Sequence, residues 1–144
     1  MKLINVYEFE NATHELYELL KKRSSTHAIS HHSIPEYAEH ESFVKSRHYR
    51  YWYLVRIDTK TIGSAYITEN NEIGVFIIDE FSHLLSDVLK LTVASHKPLP
   101  AVKSKRVAAF SINSNPGNAS LISAIASIGG VHVQNTYLLG NPPD

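Results

Sequence analysis

The spacing of apolar positions predicts that the chain begins with one strand and two helices. Residues 3–9 alternate between apolar and polar side chains, and Asn11 then stands where a helix N-cap is expected. Leucines at positions 16, 19 and 20 predict the first helix, which should end near Lys21–Arg23 because cations suit the negative end of a helix dipole. Ser33 and Pro35 predict the start of a second helix that runs to about Arg47.

The middle of the chain has the composition and alternation that are typical of strands. Residues 50–57 and 61–68 are rich in aromatic and β-branched side chains and flank a polar turn, so they predict a hairpin. A second tight connection, Glu69–Asn71, leads into residues 72–78, a nearly continuous apolar run of the kind found in a buried central strand. We predict that these three strands are antiparallel.

Helix and strand patterns then alternate to the end of the chain. Apolar positions over 81–91 predict a helix before a proline-containing loop, and residues 106–112 predict a buried strand. A short helix over 121–128 should end at Gly129, and residues 131–139 alternate as a last strand. The order β-α-α-β-β-β-α-β-α-β predicts an α/β (α+β) fold with a mixed central sheet of about six strands flanked by about four helices.

Composition limits the classes of function. With 144 residues and 16.2 kDa, residues 1–144 are expected to form one domain around a single core. The absence of cysteine excludes disulfides, thiolate zinc sites and cysteine nucleophiles. Fourteen basic and fourteen acidic residues cancel, and no apolar run reaches the roughly 20 residues of a membrane span. We therefore expect neither nucleic acid nor a membrane as partner, and the lack of a secretory pattern predicts a cytoplasmic location.

Four short segments carry a family resemblance. They are the early helix Pro35–Phe43, the strand Asn71–Ile77, the segment from Pro116 through Asn118 to Ser120, and the late strand Val133–Tyr137. Together with the predicted element order, they resemble one bacterial branch of the GNAT superfamily of acetyl-coenzyme A dependent N-acyltransferases. The resemblance extends across essentially the whole chain and implies the GNAT fold.

The resemblance implies that acetyl-CoA binds along the fourth strand and at the turn into the next helix. In GNAT proteins this strand splays from its neighbour and binds the pantetheine amides through its backbone. The residues implied in cofactor binding are Phe76, Ile77, Ile78, Ser82, His83, Leu84, Leu85, Ser86, Asp87, Asn113, Asn118 and Ser120. The sequence departs from the family at the phosphates, because His83 and Leu85 replace the spaced glycines and Asp87 would repel an anion.

Glu72 and Tyr137 are the candidate catalytic residues. Glu72 opens the fourth strand, where a carboxylate could accept the proton of an acceptor ammonium, often through water. An equally weighted interpretation is a surface residue at a strand edge. Tyr137 could donate a proton to the departing thiolate, although strand tyrosines more often only pack. The tyrosine usual in the last GNAT helix is replaced here by Ile125.

Histidines are the candidates for the acceptor side of the site. His31, His32 and His40 lie in segments that resemble the acceptor loop and early helix, so the resemblance implies that they contact the substrate. From the residues alone, the leading interpretation of the loop histidines is that they are solvated. Their spacing does not match a zinc-binding helix, and no metal site is predicted. The aromatic run Tyr49–Tyr53 is interpreted as sheet packing, because at most half of an alternating strand can face one pocket.

Two functions remain open from the sequence. One is the transfer of an acetyl group from acetyl-CoA to an amine of a small molecule by direct attack on the thioester. The other is a catalytically inactive GNAT-like binding or accessory domain that has lost the pyrophosphate loop. A homodimer is compatible with either function.

Overall fold

An antiparallel sheet of four strands forms the centre of the fold. The computed structural model describes residues 1–23 and 33–141. Within these ranges the strands are β1 (Lys2–Asn5), β2 (Tyr51–Ile57), β3 (Lys60–Ile67) and β4 (Ile73–Ile77), in the order β1-β2-β3-β4. The predicted hairpin between β2 and β3 and the tight connection into β4 are confirmed. β1 ends early because the Asn5 side chain accepts a hydrogen bond from the Tyr7 N–H at 2.9 Å and turns the chain into a short 3-10 helix, Val6–Glu8.

Four helices in the described part of the chain accompany the sheet, as predicted. They are α1 (Ala12–Lys22), α2 (Tyr37–Lys45), α3 (Leu85–Ser95) and α4 (Ala119–Ser127), and a 3-10 helix, Asp79–Leu84, leads directly into α3. The apolar spacing of α1 places Leu16 and Leu19 in the core, where each is less than 5% exposed. None of the helices in the described part of the chain is long and apolar enough to cross a bilayer.

The helices lie on opposite faces of the sheet. On one face, Arg56 of β2 donates to Glu15 of α1 at 2.6 and 2.7 Å, and Thr61 of β3 donates to the same carboxylate. On the other face, the Tyr53 hydroxyl and His96 Nε2, just beyond α3, lie 3.0 Å apart in a hydrogen bond. The alternation of strand side chains therefore sends even-numbered positions of β2 toward α1 and α2, and odd-numbered positions toward α3.

The prediction of about six strands is wrong, because two segments that alternate like strands do not form a ladder in the described residues. The segment 107–112 makes one parallel bridge to the sheet, in which Ile73 N–H donates to Ser111 O at 2.8 Å and Ser111 N–H donates to Asn71 O at 3.0 Å. The segment 131–139 belongs to no strand, and Leu139 is 96% exposed. Alternation records a preference for extended backbone, but a strand exists only when a partner satisfies its N–H and C=O groups.

Asn71 connects the beginning of β4 to the chain that follows α3. Its side chain is fully buried, and its φ of 63° lies in the left-handed region that asparagine tolerates better than most residues. The amide Nδ2 donates to Leu99 O and Val107 O, both at 2.9 Å, and Oδ1 accepts from Leu99 N–H at 2.7 Å. One side chain therefore holds the proline-containing loop and the approach to Ser111 against the sheet.

Candidate functional site

A cavity of about 470 Å³ lies between α1, α2 and the even-numbered face of the sheet. This volume is in the range of small-molecule sites, about 300–1,000 Å³. Its walls are mainly apolar, with aliphatic side chains from α1 and rings from α2 and three strands. The aromatic members are Phe43, Tyr49, Trp52, Tyr66 and Phe76, and the polar members are Arg23, Ser33, Glu39, His40 and Ser64.

A stacked pair of tyrosines forms part of the cavity wall. The rings of Tyr49 and Tyr66 are nearly parallel, with centroids 3.8 Å apart. Tyr66 lies directly on the backbone of Gly74 in β4, where a Cβ atom would overlap its ring. Burial raises the pKa of Tyr49 and, together with the nearby carboxylate of Glu72, the pKa of Tyr66, so both phenols stay protonated at neutral pH. Glu72 does not line the cavity, but it directly precedes β4, and alternation puts it on the side of the sheet that Gly74 and Phe76 face.

Trp52 contributes an indole ring to the same wall. The residue is 7% exposed and makes edge contacts with the rings of Tyr7, Phe43 and Tyr49 at centroid distances of 6.5, 5.9 and 4.8 Å. Its indole N–H has no hydrogen-bond partner within residues 1–23 and 33–141. Leaving a buried donor without a partner costs about 1–3 kcal/mol, and this nitrogen is covered by protein atoms, so the indole ring and not its N–H faces the cavity.

Two opposite charges belong to the cavity lining. The guanidinium carbon of Arg23 lies 5.6 Å from the centroid of the Phe76 ring, and burial lowers the pKa of Arg23. An arginine remains protonated at any physiological pH despite such a shift. Glu39, on α2, is exposed to solvent and supplies a carboxylate. The site therefore combines apolar walls with one guanidinium and one carboxylate among its described residues.

His40, predicted to contact substrate, lines the cavity but is held by the protein itself. The residue is 5% exposed, and its Nε2–H donates to Thr13 O at 3.1 Å. Its ring also lies 5.3 Å from that of Tyr17. Burial lowers the pKa of His40, so the neutral imidazole is the form that packs between α1 and α2.

We expect His40 to make the fold sensitive to mild acid. Because its pKa is lower in the folded chain than its ordinary value of about 6.5, the unfolded chain binds the extra proton and stability falls as the pH drops below about 6.5. His40→Gln, which keeps a donor for Thr13 O, should lose less stability than the natural chain between pH 7.5 and 5.5. Urea unfolding at both pH values checks this, with His14→Gln on the exposed side of α1 as control. Equal losses in all three proteins would contradict the assignment.

The outer edge of β4 is open beyond its first residue. Ile73 N–H points away from β3, toward Ser111, whereas Ile78 N–H points back and donates to Ile62 O at 2.9 Å. By alternation, the backbone groups of Val75 and Ile77 lie on the same side as those of Ile73. No strand among the described residues pairs with that side, because β4 is the last strand of the sheet and Ser111 makes the one bridge there. Phe76, between them, faces the cavity.

The predicted pyrophosphate turn is a 3-10 segment that leads directly into α3. Leu85 N–H, at the first position of α3, donates to Ser82 O, and the Leu85 side chain is only 6% exposed. Ser86 shares a hydrogen bond of 2.9 Å with Ser127 of α4. His83 and Asp87 are exposed. A segment of this kind offers an incoming anion fewer N–H groups than a glycine turn, and it carries a carboxylate where the charge should be positive.

The other predicted site residues lie apart from the cavity or outside the described residues. Asn118 caps α4, since its Oδ1 accepts from Leu121 N–H at 3.2 Å, and Asn113 and Ser120 are exposed. Tyr137 is 79% exposed in the segment after α4 and does not line the cavity. His31 and His32 lie outside the described residues. Within those residues, no cluster of three or more histidine, aspartate and glutamate side chains is arranged to hold a metal ion.

Comparison with known proteins adds no relative to this description. No family model, no curated protein and no solved structure matches the chain. The cavity residues Arg23, Glu39 and Tyr66 were missed by sequence reasoning, because they come from separate helices and strands and form no local motif. The aromatic run did contain a usable signal, since Trp52 faces the cavity and its neighbours Tyr51 and Tyr53 face His96 on the other side.

Proposed function

We propose that the chain is an N-acyltransferase of the GNAT type, which transfers an acetyl group from acetyl-CoA to the amine of a small molecule. The observation that supports this most is the open edge of β4 next to the aromatic cavity, with Phe76 adjoining both. An extended chain that carries amides can add to such an edge through backbone hydrogen bonds, as a further strand would. The pantetheine arm of acetyl-CoA has this chemistry.

In this proposal the open edge and the cavity have separate roles. The backbone groups of Val75 and Ile77 bind the amides of the arm, and the cavity holds the acceptor amine. The amine nitrogen attacks the thioester carbonyl directly and a C–N bond forms. The C–S bond then breaks, and the departing thiolate takes up the proton that the nitrogen loses as the amide forms, so coenzyme A leaves as the thiol. Glu72, which alternation along β4 puts on the same side of the sheet as Phe76, accepts the proton that the ammonium must lose before it can attack.

A second candidate, a GNAT-like domain that binds a small molecule without coenzyme, is favoured by the beginning of α3. The N–H of Leu85 is already bonded to Ser82 O, no glycine opens the turn, and Asp79, Glu80 and Asp87 bring carboxylates to it. These features disfavour the binding of a pyrophosphate at the turn before α3. The cavity would then be the whole site.

Binding of acetyl-CoA separates the two candidates. We expect calorimetry to detect saturable binding of acetyl-CoA, and thermal shift to give about 2.7 kcal/mol of stabilisation at 100 times the Kd. S-acetylpantetheine should bind within a few-fold of acetyl-CoA, because the turn before α3 adds little for the phosphates. If neither compound bound, the acyltransferase would be excluded and the domain that binds a small molecule without coenzyme would be the remaining candidate.

Glu72→Gln tests the chemical step. With an acceptor in hand, turnover should fall about 100-fold or more while the affinity for acetyl-CoA stays the same, since the change removes proton acceptance and not binding. Glu69→Gln, in the exposed turn before β4, is the matched control and should leave turnover intact. Unchanged turnover in Glu72→Gln would exclude this carboxylate as the base.

A further inference from the structure

We propose that the ligand of the cavity is an α-amino acid with an aromatic or large apolar side chain. The inference comes from the lining, which places one guanidinium, Arg23, and one carboxylate, Glu39, on a cavity that is otherwise built mainly from rings and leucines. The role of this ligand as an acceptor for acetyl transfer rests on the proposed function. The binding of the ligand to the cavity does not depend on that function.

The apolar part of the cavity selects the side chain of the ligand. Phe43, Trp52 and Phe76 present ring faces and edges, and the tyrosine stack presents another. Burying a phenyl or large aliphatic group against such walls is worth about 1.5–3 kcal/mol. A polyol would lose its hydrogen bonds to water against the same walls, because the described lining has few polar groups to replace them.

The charged groups select the ends of a zwitterion. The guanidinium of Arg23 has five N–H donors in a planar fork, so it can bind a carboxylate in a bidentate manner even while it keeps other contacts. The carboxylate of Glu39 accepts from an ammonium group. A neutral ligand would use none of these charges.

Trp52 also supplies the measurement, because it is the one tryptophan of the chain. We would follow its fluorescence, excited at 295 nm, during titration with L-phenylalanine and three fragments: phenethylamine, which lacks the carboxylate, 3-phenylpropionate, which lacks the amine, and L-alanine, which lacks the ring. L-Phenylalanine should change the emission saturably, and each fragment should bind at least about 10-fold more weakly. Failure of L-phenylalanine to bind, or equal binding of L-alanine, would overturn the proposal.

Arg23→Gln and Glu39→Gln assign the two ends. Arg23→Gln should weaken the binding of L-phenylalanine and of 3-phenylpropionate about 10-fold or more and leave the binding of phenethylamine unchanged. Glu39→Gln should weaken the binding of phenethylamine and leave that of 3-phenylpropionate unchanged. Lys22→Gln, next to Arg23 but not in the cavity lining, is the control, and circular dichroism verifies that each variant is folded. Equal loss for all ligands would overturn the assignment of the ends.

The outcome stays separate from that of the proposed function. Amino-acid binding without acetyl-CoA binding would support this inference and remove the acyltransferase. Acetyl-CoA binding without any response to L-phenylalanine would support the acyltransferase and overturn the inference that the cavity binds an amino acid.

Discussion

Asn71→Ala is expected to destabilise the fold by about 3 kcal/mol or more. The substitution removes three side-chain hydrogen bonds, so Leu99 N–H, Leu99 O and Val107 O lose the buried amide that holds them against the sheet. It also places alanine at a φ of 63°, where a Cβ atom without local hydrogen bonding is disfavoured by about 1–2 kcal/mol. Urea unfolding monitored by circular dichroism measures the change in free energy.

Two further variants separate the causes. Asn71→Gly accepts the left-handed backbone but still loses the hydrogen bonds, so it should lie between the natural chain and Asn71→Ala. Asn70→Ala, at the exposed neighbouring position, should change stability by less than about 0.5 kcal/mol. If Asn71→Ala behaved like Asn70→Ala, the buried amide would not be what holds the loop and the Ser111 bridge against the sheet.

Gly74→Ala is expected to cost about 3 kcal/mol and to disrupt the cavity at the same time. An added Cβ would overlap the Tyr66 ring, which cannot move aside without leaving its stack with Tyr49. Overpacking of this kind costs about 1–3 kcal/mol, and the upper end applies because both rings are held from two sides. The emission of Trp52, whose ring contacts Tyr49, should shift together with the loss of stability.

A double-mutant cycle identifies the clash. Tyr66→Ala removes the ring that Gly74→Ala would strike, so the cost of the two changes together should be at least about 1 kcal/mol less than the sum of the single costs. Additive costs would mean that Gly74 is required for another reason, such as its pairing with β3. The cycle also tests whether the wall of the cavity depends on a glycine in the strand that we propose binds acetyl-CoA.

The arrangement of the site explains why these positions matter beyond stability. Asn71 stabilises the backbone bridge to Ser111 at the beginning of β4. Beyond that bridge, the outer edge of β4 is open. Gly74, three residues later, lets Tyr66 lie across the same strand toward the cavity. The open edge and the cavity wall therefore depend on neighbouring residues of β4, and both proposed ligands would meet there.

Local pattern was sufficient for the parts of the fold whose stability is local or whose partners are adjacent in sequence. The hairpin of β2 and β3 was predictable because its alternation, its β-branched residues and its turn agree with one another. The helices α1 to α4 were predictable in the same way, from apolar spacing and from end signals such as Asn11 before α1 and Gly129 after α4. Their ends moved by a few residues, since helix ends depend on local hydrogen bonds.

The sequence by itself therefore determined four helices, the antiparallel strands and a cysteine-free chain without net charge, because these follow from composition and from short-range periodicity. Tertiary structure alone decided that 107–112 meets the sheet at one bridge, that 131–139 stays exposed, and that His40 binds Thr13 O. It also decided that Arg23, Glu39, Trp52 and Tyr66 share a cavity. Pairing and cavities depend on contacts between residues far apart in the chain, and periodicity carries no information about such contacts.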